Sequence, residues 1–230
     1  MKIAVISDLH GYLPKYQFEN VEVLLICGDI IPVNIQSNMP ASKTWFDTKF
    51  RSWAESLNVE KVIFIAGNHD ILIERDRNWF KTKFSKYSKI AFLDNELCEY
   101  LSTQDGKIYS IFGTPYCKQF GNWAFMRTPE TLVEKYSSIP ENLDILITHD
   151  APMLCGVGFI HHRDIPWGNQ EAGNEMLANV ILNKKPKYVF SGHIHSGEHE
   201  LQECDGIKLA NTSIVDEKYN IYYKPLILDI

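Results

Sequence analysis

Val62-Ile63-Phe64-Ile65-Ala66-Gly67-Asn68-His69-Asp70 is the stretch that decides the fold, because a short apolar run ends abruptly in a polar cluster. The run is rich in β-branched and aromatic residues without polar alternation, which is typical of a strand buried on both faces. Gly67 has no Cβ, so the backbone can turn sharply where the run ends. The stretch therefore predicts a buried strand that carries polar side chains at its carboxyl end.

The same arrangement recurs four times along the chain. In open α/β sheets, functional sites form beyond the carboxyl ends of strands, because the loops there converge on one rim. We therefore expect all five polar clusters to lie close together. The other four runs and their clusters are Ile3–Ile6 before Ser7-Asp8-Leu9-His10, Val23–Cys27 before Gly28-Asp29, Ile145–Ile147 before Thr148-His149-Asp150, and Tyr188–Phe190 before Ser191-Gly192-His193-Ile194-His195.

Helices and turns are predicted between these strands. Apolar residues at helical spacing and capping residues predict the helices. Asp-Gly pairs between strand-like segments predict tight hairpin turns. The chain has no repeat or linker, so one domain over residues 1–230 is expected, with a β-rich C-terminal portion. The predicted helices are Lys43–Leu57, Glu130–Tyr136 after Thr128-Pro129, and Asn174–Leu182, and the predicted turns are Asp105-Gly106 and Asp205-Gly206.

Composition excludes several functional classes. The chain has 230 residues, 45% of them hydrophobic, and a formal net charge of −6 with no basic cluster. This argues against nucleic-acid partners and anionic membranes, both of which attract clustered Lys and Arg. No apolar run approaches the ~20 residues of a membrane span, and none resembles a signal peptide, so cytoplasmic location is expected. Five cysteines without a C-x-x-C pair predict neither a disulfide framework nor a thiolate zinc site.

The polar clusters together offer oxygen and imidazole ligands and no thiolate. Asp8-x-His10 and His193-x-His195 each place two ligands on one side of an extended segment, because side-chain direction repeats every second residue. This ligand chemistry suits manganese, iron, zinc or magnesium and disfavours a structural zinc knot. The ligating side chains of the five clusters are Asp8, His10, Asp29, Asn68, His69, His149, His193 and His195.

The order of these motifs resembles that of the calcineurin-like metallophosphoesterase superfamily. The motifs are D-x-H, G-D, G-N-H-D, T-H and G-H-x-H, and all occur in order by residue 195. Further stretches resemble the metallophosphoesterase-domain (MPPED-like) branch, so the similarity spans nearly the whole chain. Those stretches are Gly113-Thr114-Pro115-Tyr116, Asn122-Trp123-Ala124-Phe125, Asn211-Thr212-Ser213 and the final segment from Lys224 to Asp229.

This resemblance implies an α/β fold, a four-layer αββα sandwich of two mixed β-sheets flanked by helices. It also implies two divalent metal ions, with manganese the first choice and iron, zinc, magnesium or nickel as alternatives. Asp29 would bridge them, offsetting the repulsion between two cations about 3.5–4 Å apart. The first metal would be held by Asp8, His10, Asp29 and His195, and the second by Asp29, Asn68, His149 and His193.

The predicted activity is hydrolysis of a small phosphodiester or phosphomonoester, with a cyclic nucleotide or nucleotide as a candidate substrate. A hydroxide shared by the metals would attack phosphorus. His69 would be the general acid for the leaving group, and Asp70 would orient its imidazole. The predicted substrate contacts are Asn68, His69, Trp123 and His193.

Alternative interpretations stay open at this point. A nuclease of the same superfamily would need a basic channel, and a non-catalytic metal-binding scaffold would be free to lose ligands. Asp150, where the branch often has glycine, would either hydrogen-bond the His149 ring or repel a phosphate. The sequence leaves the oligomeric state open. Three further histidines, His161, His162 and His199, are expected to be loop residues more than ligands. Phe125 could line the rim or belong to the core, and Asn122 and Asn211 could contact substrate or satisfy a turn. Cys27 is expected to be an inert core thiol.

Overall fold

Two large β-sheets organise the protein in the computed structural model, which describes residues 1–161 and 169–230. In the first sheet, β15-β1-β2-β3-β4, only β15 runs antiparallel to its neighbour. In the second, β13-β14-β12-β9-β6-β5, the four inner strands are parallel and both edge strands antiparallel. The strands are β1 (Lys2–Ile6), β2 (Val23–Ile26), β3 (Lys61–Phe64), β4 (Ile90–Phe92), β5 (Glu96–Leu101), β6 (Ile108–Thr114), β7 (Cys117–Lys118), β8 (Met126–Arg127), β9 (Ile145–Thr148), β10 (Phe159–Ile160), β11 (Gln170–Glu171), β12 (Tyr188–Ser191), β13 (Gln202–Cys204), β14 (Ile207–Asn211) and β15 (Leu226–Asp229).

Alternate residues of the buried strands face two different cores, because side-chain direction alternates along a strand. Val5 and Leu25 of the first sheet share a core with Ile145 and Phe190 of the second, so the sheets pack face to face. Ile6 and the strand residues that face the same way belong to a second core, which also contains buried residues of the helices. The predicted four-layer αββα sandwich of two mixed sheets is confirmed, and the five predicted strands are β1, β2, β3, β9 and β12.

The helices cover the outer faces of the sheets. The predicted helix over Lys43–Leu57 is longer at its start, because the Asn38 side chain accepts a hydrogen bond from Ala41 N and caps it. Its Phe50 ring packs on Phe64 of β3, so its aromatic residues form core, as expected. The helices are α1 (Met39–Trp45), a π-helical turn (Phe46–Phe50), α2 (Arg51–Ser56), α3 (Ile71–Arg75), α4 (Arg77–Phe84), α5 (Pro129–Ser137) and α6 (Glu175–Lys184).

Asp205 and Gly206 form the predicted two-residue hairpin turn between β13 and β14, with φ of 51° and 77°. The Asp105-Gly106 pair instead lies within a longer connection between β5 and β6, closed by a hydrogen bond from Ser102 N to the Lys107 carbonyl. The turn dipeptide alone does not set the loop length, because register across the whole strand pair also contributes. Within residues 1–161 and 169–230, no helix is long and apolar enough to cross a membrane.

One cysteine pair corrects the prediction that the cysteines form no disulfide framework. Cys155 and Cys204 are joined in a disulfide, with Cα atoms 6.6 Å apart. They lie 49 residues apart, and sequence spacing does not show which distant residues the fold brings together. Cys27 is fully buried, and burial raises the pKa of its thiol, in agreement with an inert core residue.

Candidate metal centre

The backbone at the rim adopts unusual conformations where the sequence places its ligands. Asp8, His10, Asp29 and His193 have positive φ of 55°, 42°, 52° and 68°. Such values are uncommon for residues other than glycine and cost free energy, so surrounding contacts must hold them. Here the loops after β1 and β2 brace each other, with Asp8 N donating to the Gly28 carbonyl and His10 N to the Asp29 carbonyl. These strained positions bring four candidate ligands to one rim of the sheets.

Two glycines allow this rim to close tightly. A Cβ on Gly67 would overlap the Asp29 carboxylate, and one on Gly192 would overlap Ser7 and the Asp8 carboxylate. The loops after β3 and β12 therefore approach the acidic residues more closely than any side chain would permit.

The first group of ligands combines Asp8, His10 and His195. The Nε2 atoms of His10 and His195 are 3.3 Å apart, and His195 Nε2 lies 3.6 Å from Asp8 Oδ1. These ligand atoms fall within 4.8 Å of one another, and all three residues are buried. They come from the ends of β1 and β12, which lie in different sheets.

The second group is centred on Asp29. His149 Nε2 lies 3.4 Å from Asp29 Oδ2 and 2.9 Å from Asn68 Oδ1. His10 Nε2 approaches the same Asp29 oxygen at 3.9 Å, so Asp29 stands between the two groups. His193 lies further out: its ring packs on His149 with centroids 5.0 Å apart, outside the groups of ligand atoms that converge within 4.8 Å among the described residues.

The donor set fits divalent cations. Two ligands about 2.0–2.2 Å from a shared ion lie roughly 3–3.6 Å apart, close to the separations between His10, His195 and Asp8. Most of these contacts are longer than hydrogen bonds, although the groups are buried and face one another. Oxygen and imidazole donors of this kind suit manganese, iron, zinc and magnesium.

Outer hydrogen bonds orient two of the imidazoles. His149 Nδ1 bonds the Cys27 carbonyl at 2.9 Å, and His195 Nδ1 bonds the Asp216 carbonyl at 3.0 Å. A carbonyl only accepts, so each Nδ1 donates, and Nε2 is the ring nitrogen that faces the rim. Both rings are thereby held in the orientation in which a deprotonated Nε2 could ligate a metal.

The pKa values of the histidines follow from burial and from Asp29. Burial lowers the pKa of His10 to about 4, and burial with the charge of His149 lowers that of His193 to about 4. Burial acts in the same direction on His149, but the charge of Asp29 outweighs it and raises the His149 pKa to about 10. Neutral imidazoles are the form that binds metal, and the field of Asp29 that attracts a proton also attracts a cation.

The sequence of this chain matches a known protein family. A family model described as Calcineurin-like phosphoesterase matches residues 1–197, which contain every ligand named above. The chain belongs to the calcineurin-like phosphoesterase family.

Relatives agree with the family assignment. Metallophosphoesterase domain-containing protein 1 of Homo sapiens and of Mus musculus are each 29% identical over 247 residues, covering 100% of this chain and 71% of the relative. The structure of Phosphopantetheinyl Hydrolase from Mycobacterium tuberculosis matches with a TM-score of 0.59 at 13% identity, covering 93% of this chain and 89% of that one. At that identity the structural likeness shows the fold alone.

His69 has a different partner from the one predicted. Its Nδ1 lies 2.6 Å from Gln36 Oε1, while its Nε2 faces Asp29 Oδ2 at 3.9 Å. The Asp70 carboxylate instead accepts hydrogen bonds from the backbone amides of Ile30, Ile31 and Gly67. Asp70 therefore ties the loops after β2 and β3 together, and Gln36 takes the role of orienting the imidazole. Gln36 belongs to no motif, so the sequence held no signal for it.

Asp150 does not bond the His149 ring, which was one of its two predicted roles. Its carboxylate accepts hydrogen bonds from the Lys118 amide at 2.8 Å and from Asn174 Nδ2 at 2.7 Å, and the His149 ring bonds other groups. Asp150 therefore anchors α6 and β7 beside the candidate metal centre. Asn211 is likewise a loop anchor, because its Nδ2 donates to the carbonyls of Gly192 and Ile194.

A cavity of about 680 Å³ opens onto the candidate metal centre. Trp123 lines it with its ring 4.8 Å from that of His69, as expected for a rim aromatic, whereas Phe125 is fully buried core. Tyr219 also lines the cavity and was missed, because its segment matches no motif. The predicted substrate contacts all lie on this wall, which includes Asn68, His69, Trp123 and His193 together with Phe120, Lys118, Gln36 and Glu217.

The remaining polar residues lie away from the ligand groups. His199 Nε2 donates to the His195 carbonyl at 2.9 Å, and its ring stacks on Tyr223 with centroids 3.5 Å apart. His161 and Asn122 are exposed. His162 lies outside the described residues.

Proposed function

We propose that this chain is a phosphoesterase that binds two divalent cations and hydrolyses a small phosphodiester or phosphomonoester. The observation that carries the proposal is the position of Asp29, whose Oδ2 lies 3.4 Å from His149 Nε2 and 3.9 Å from both His10 Nε2 and His69 Nε2. One carboxylate facing several buried imidazoles from separate strand ends is the arrangement that a bridging ligand requires.

The division of ligands follows the two groups around Asp29. One cation would be held by Asp8, His10, His195 and Asp29, and the other by Asp29, Asn68, His149 and His193, with manganese as the first choice. When bound, the cations would acidify a water molecule and neutralise charge on the phosphate. The His193 ring packs on that of His149 with centroids 5.0 Å apart, and it would close the second position.

His69 is the proposed general acid. Its Nδ1 donates to Gln36 Oε1, so the protonated ring turns Nε2–H towards the centre, where a leaving oxygen would lie. The backbone amide of His69 donates to Asp29 Oδ1 at 2.7 Å, which fixes the distance between the acid and the bridging carboxylate. Gln36 is a positioning residue for this proton transfer.

The cavity supports a small substrate. Its wall is largely apolar and aromatic, and the net charge of −6 without a basic cluster disfavours a nucleic-acid channel. A nucleotide or cyclic nucleotide is one candidate, and Trp123 would contact its organic part. We also propose that residues 1–230 act as a single domain, since β15 near the end of the chain pairs with β1.

The test uses p-nitrophenyl phosphate and bis-p-nitrophenyl phosphate with metal-stripped protein to which Mn²⁺ is returned. Turnover should depend on Mn²⁺, and Asp29→Asn should lose both ions and nearly all turnover. Asp205→Asn, an exposed carboxylate in the β13–β14 turn, is the matched control and should behave as wild type. Loss of a single ion in Asp29→Asn, measured by elemental analysis, would contradict the bridging role.

A further inference from the structure

Tyr219 lies over the metal centre although its segment carries no family motif. Its ring contacts those of His10, His195 and His69, with centroids 4.7, 5.1 and 6.3 Å apart. It also lines the cavity and is 40% exposed, so its ring is available to a bound molecule. A half-exposed aromatic ring above three site histidines bounds the space in which a substrate would sit.

The backbone of Tyr219 is strained. Its φ is 62°, a value that a bulky residue rarely adopts and that glycine adopts without penalty. Strain of this kind persists only where surrounding contacts impose it, and such positions cluster at ligand-binding sites. A turn selected for stability alone would place glycine or asparagine here.

The turn around Tyr219 is braced from within. The Asp216 carboxylate accepts hydrogen bonds from the amides of Lys218 and Asn220, each at 2.9 Å. Asp216 N donates to the Asn220 carbonyl, and Tyr219 N donates to the Asp216 carbonyl. These bonds hold Tyr219 in its strained conformation.

The same turn is fastened to the metal-binding loop. The Asp216 carbonyl accepts from His195 Nδ1, and Glu217 Oε1 accepts from Ser196 N at 3.1 Å and Ser196 Oγ at 2.6 Å. Movement of the turn relative to His195 would break all three bonds. Tyr219 therefore keeps a fixed position relative to the ligands.

We propose that Tyr219 is a substrate-contacting residue that, with Trp123, selects phosphate esters whose leaving group is flat and apolar. The proposal rests on the function proposed above. His69 would protonate the leaving oxygen, and the rings of Trp123 and Tyr219 both contact His69. The leaving group is therefore bounded by two aromatic rings, which favour planar apolar partners over small alkyl groups.

The test measures binding, so that it does not depend on turnover. Mn²⁺-loaded protein is titrated with phenylphosphonate and methylphosphonate, which share the anionic group and differ in the organic part. Wild type should prefer phenylphosphonate, and Tyr219→Gly should reduce that preference by about twofold to tenfold, the worth of one aromatic contact. Tyr219→Phe keeps the ring and should keep the preference.

Two controls separate this role from a structural one. Tyr219→Gly should unfold at the same temperature as wild type or higher, because glycine relieves the strained φ. Tyr222→Ala, at a neighbouring tyrosine that is 55% exposed and outside the described cavity wall, should leave both affinities unchanged.

The outcomes separate the two proposals. Unchanged preference in Tyr219→Gly, equal weakening of both phosphonates, or loss of preference in Tyr219→Phe would each overturn the role of the Tyr219 ring. Failure of wild type to bind either phosphonate in the presence of Mn²⁺ would instead contradict the phosphoesterase function itself.

Discussion

Two buried polar clusters lie at opposite ends of the strands, and they are satisfied in different ways. Glu22 precedes β2, is 1% exposed, and its carboxylate accepts hydrogen bonds from Tyr100 Oη, Ser102 Oγ and Thr103 N at 2.5–3.0 Å. Asp29 follows the same strand, and three imidazole nitrogens lie 3.4–3.9 Å from its Oδ2. The first cluster is complete as built, whereas the second is arranged for a ligand.

The difference shows how to separate structural from functional polar groups. Buried polar atoms in a folded protein are normally hydrogen-bonded, so a complete network such as that around Glu22 is accounted for by a structural role. Facing acids and imidazoles at longer distances, with His10 Nδ1 buried and lacking a partner among the described residues, indicate that another species completes the set. The rim cluster also has positive φ at four of its residues, which are Asp8, His10, Asp29 and His193.

The largest expected effect is on His69. His69→Ala should retain metal and lose about 10²–10⁴-fold in kcat, because a positioned general acid contributes that much. The measurement is steady-state turnover of both p-nitrophenyl esters together with metal analysis. His161→Ala, which removes an exposed imidazole, is the control, and an active His69→Ala would remove this residue from the mechanism.

Mn²⁺ should stabilise the folded protein by binding at the rim cluster, not at the cluster around Glu22. Mn²⁺ at about 100 times the dissociation constant of each site should raise the free energy of unfolding of wild type by about 2.7 kcal/mol per bound ion, because it binds only the folded state. Denaturant unfolding with and without Mn²⁺ gives this quantity. The same increase in Asp29→Asn would show that the ion binds elsewhere.

Glu22 should matter for stability alone. Glu22→Ala leaves the Ser102 and Thr103 donors without their acceptor and should cost about 1–3 kcal/mol of unfolding free energy. Turnover per folded molecule and metal content should match wild type. Glu99→Ala, on an exposed strand position, is the control. A large loss of turnover in Glu22→Ala would contradict the assignment of a purely structural role to the Glu22 cluster.

The smallest expected effect is at Gln36. Gln36→Ala removes the hydrogen bond to His69 Nδ1 and should lower kcat about 3–10-fold with unchanged metal content. Gln104→Ala, which removes an exposed amide beside the Glu22 cluster, should leave kcat unchanged. If Gln36→Ala lowered kcat no further in a His69→Ala background, the two residues would act through the same proton transfer.

Much of the fold and most of the ligand set follow from local sequence. Each apolar run of the predicted strands is buried, and each polar cluster lies at the carboxyl end of its strand. Strand burial and the convergence of strand ends depend on short-range pattern and general sheet geometry, which a sequence contains. Hence Asp8, Asp29 and His149 could be placed at one rim without coordinates.

Other features were decided by tertiary structure alone. Gln36 reaches His69 from 33 residues away, and Asp70 bonds Ile30 from 40 residues away. Tyr219 crosses from the last part of the chain onto His10, and Cys155 meets Cys204 across 49 residues. A side chain's partner depends on which distant loops meet it and at what angle. Sequence pattern thus determined which rim carries the chemistry, and only the packing of the loops decided which neighbours orient and cover it.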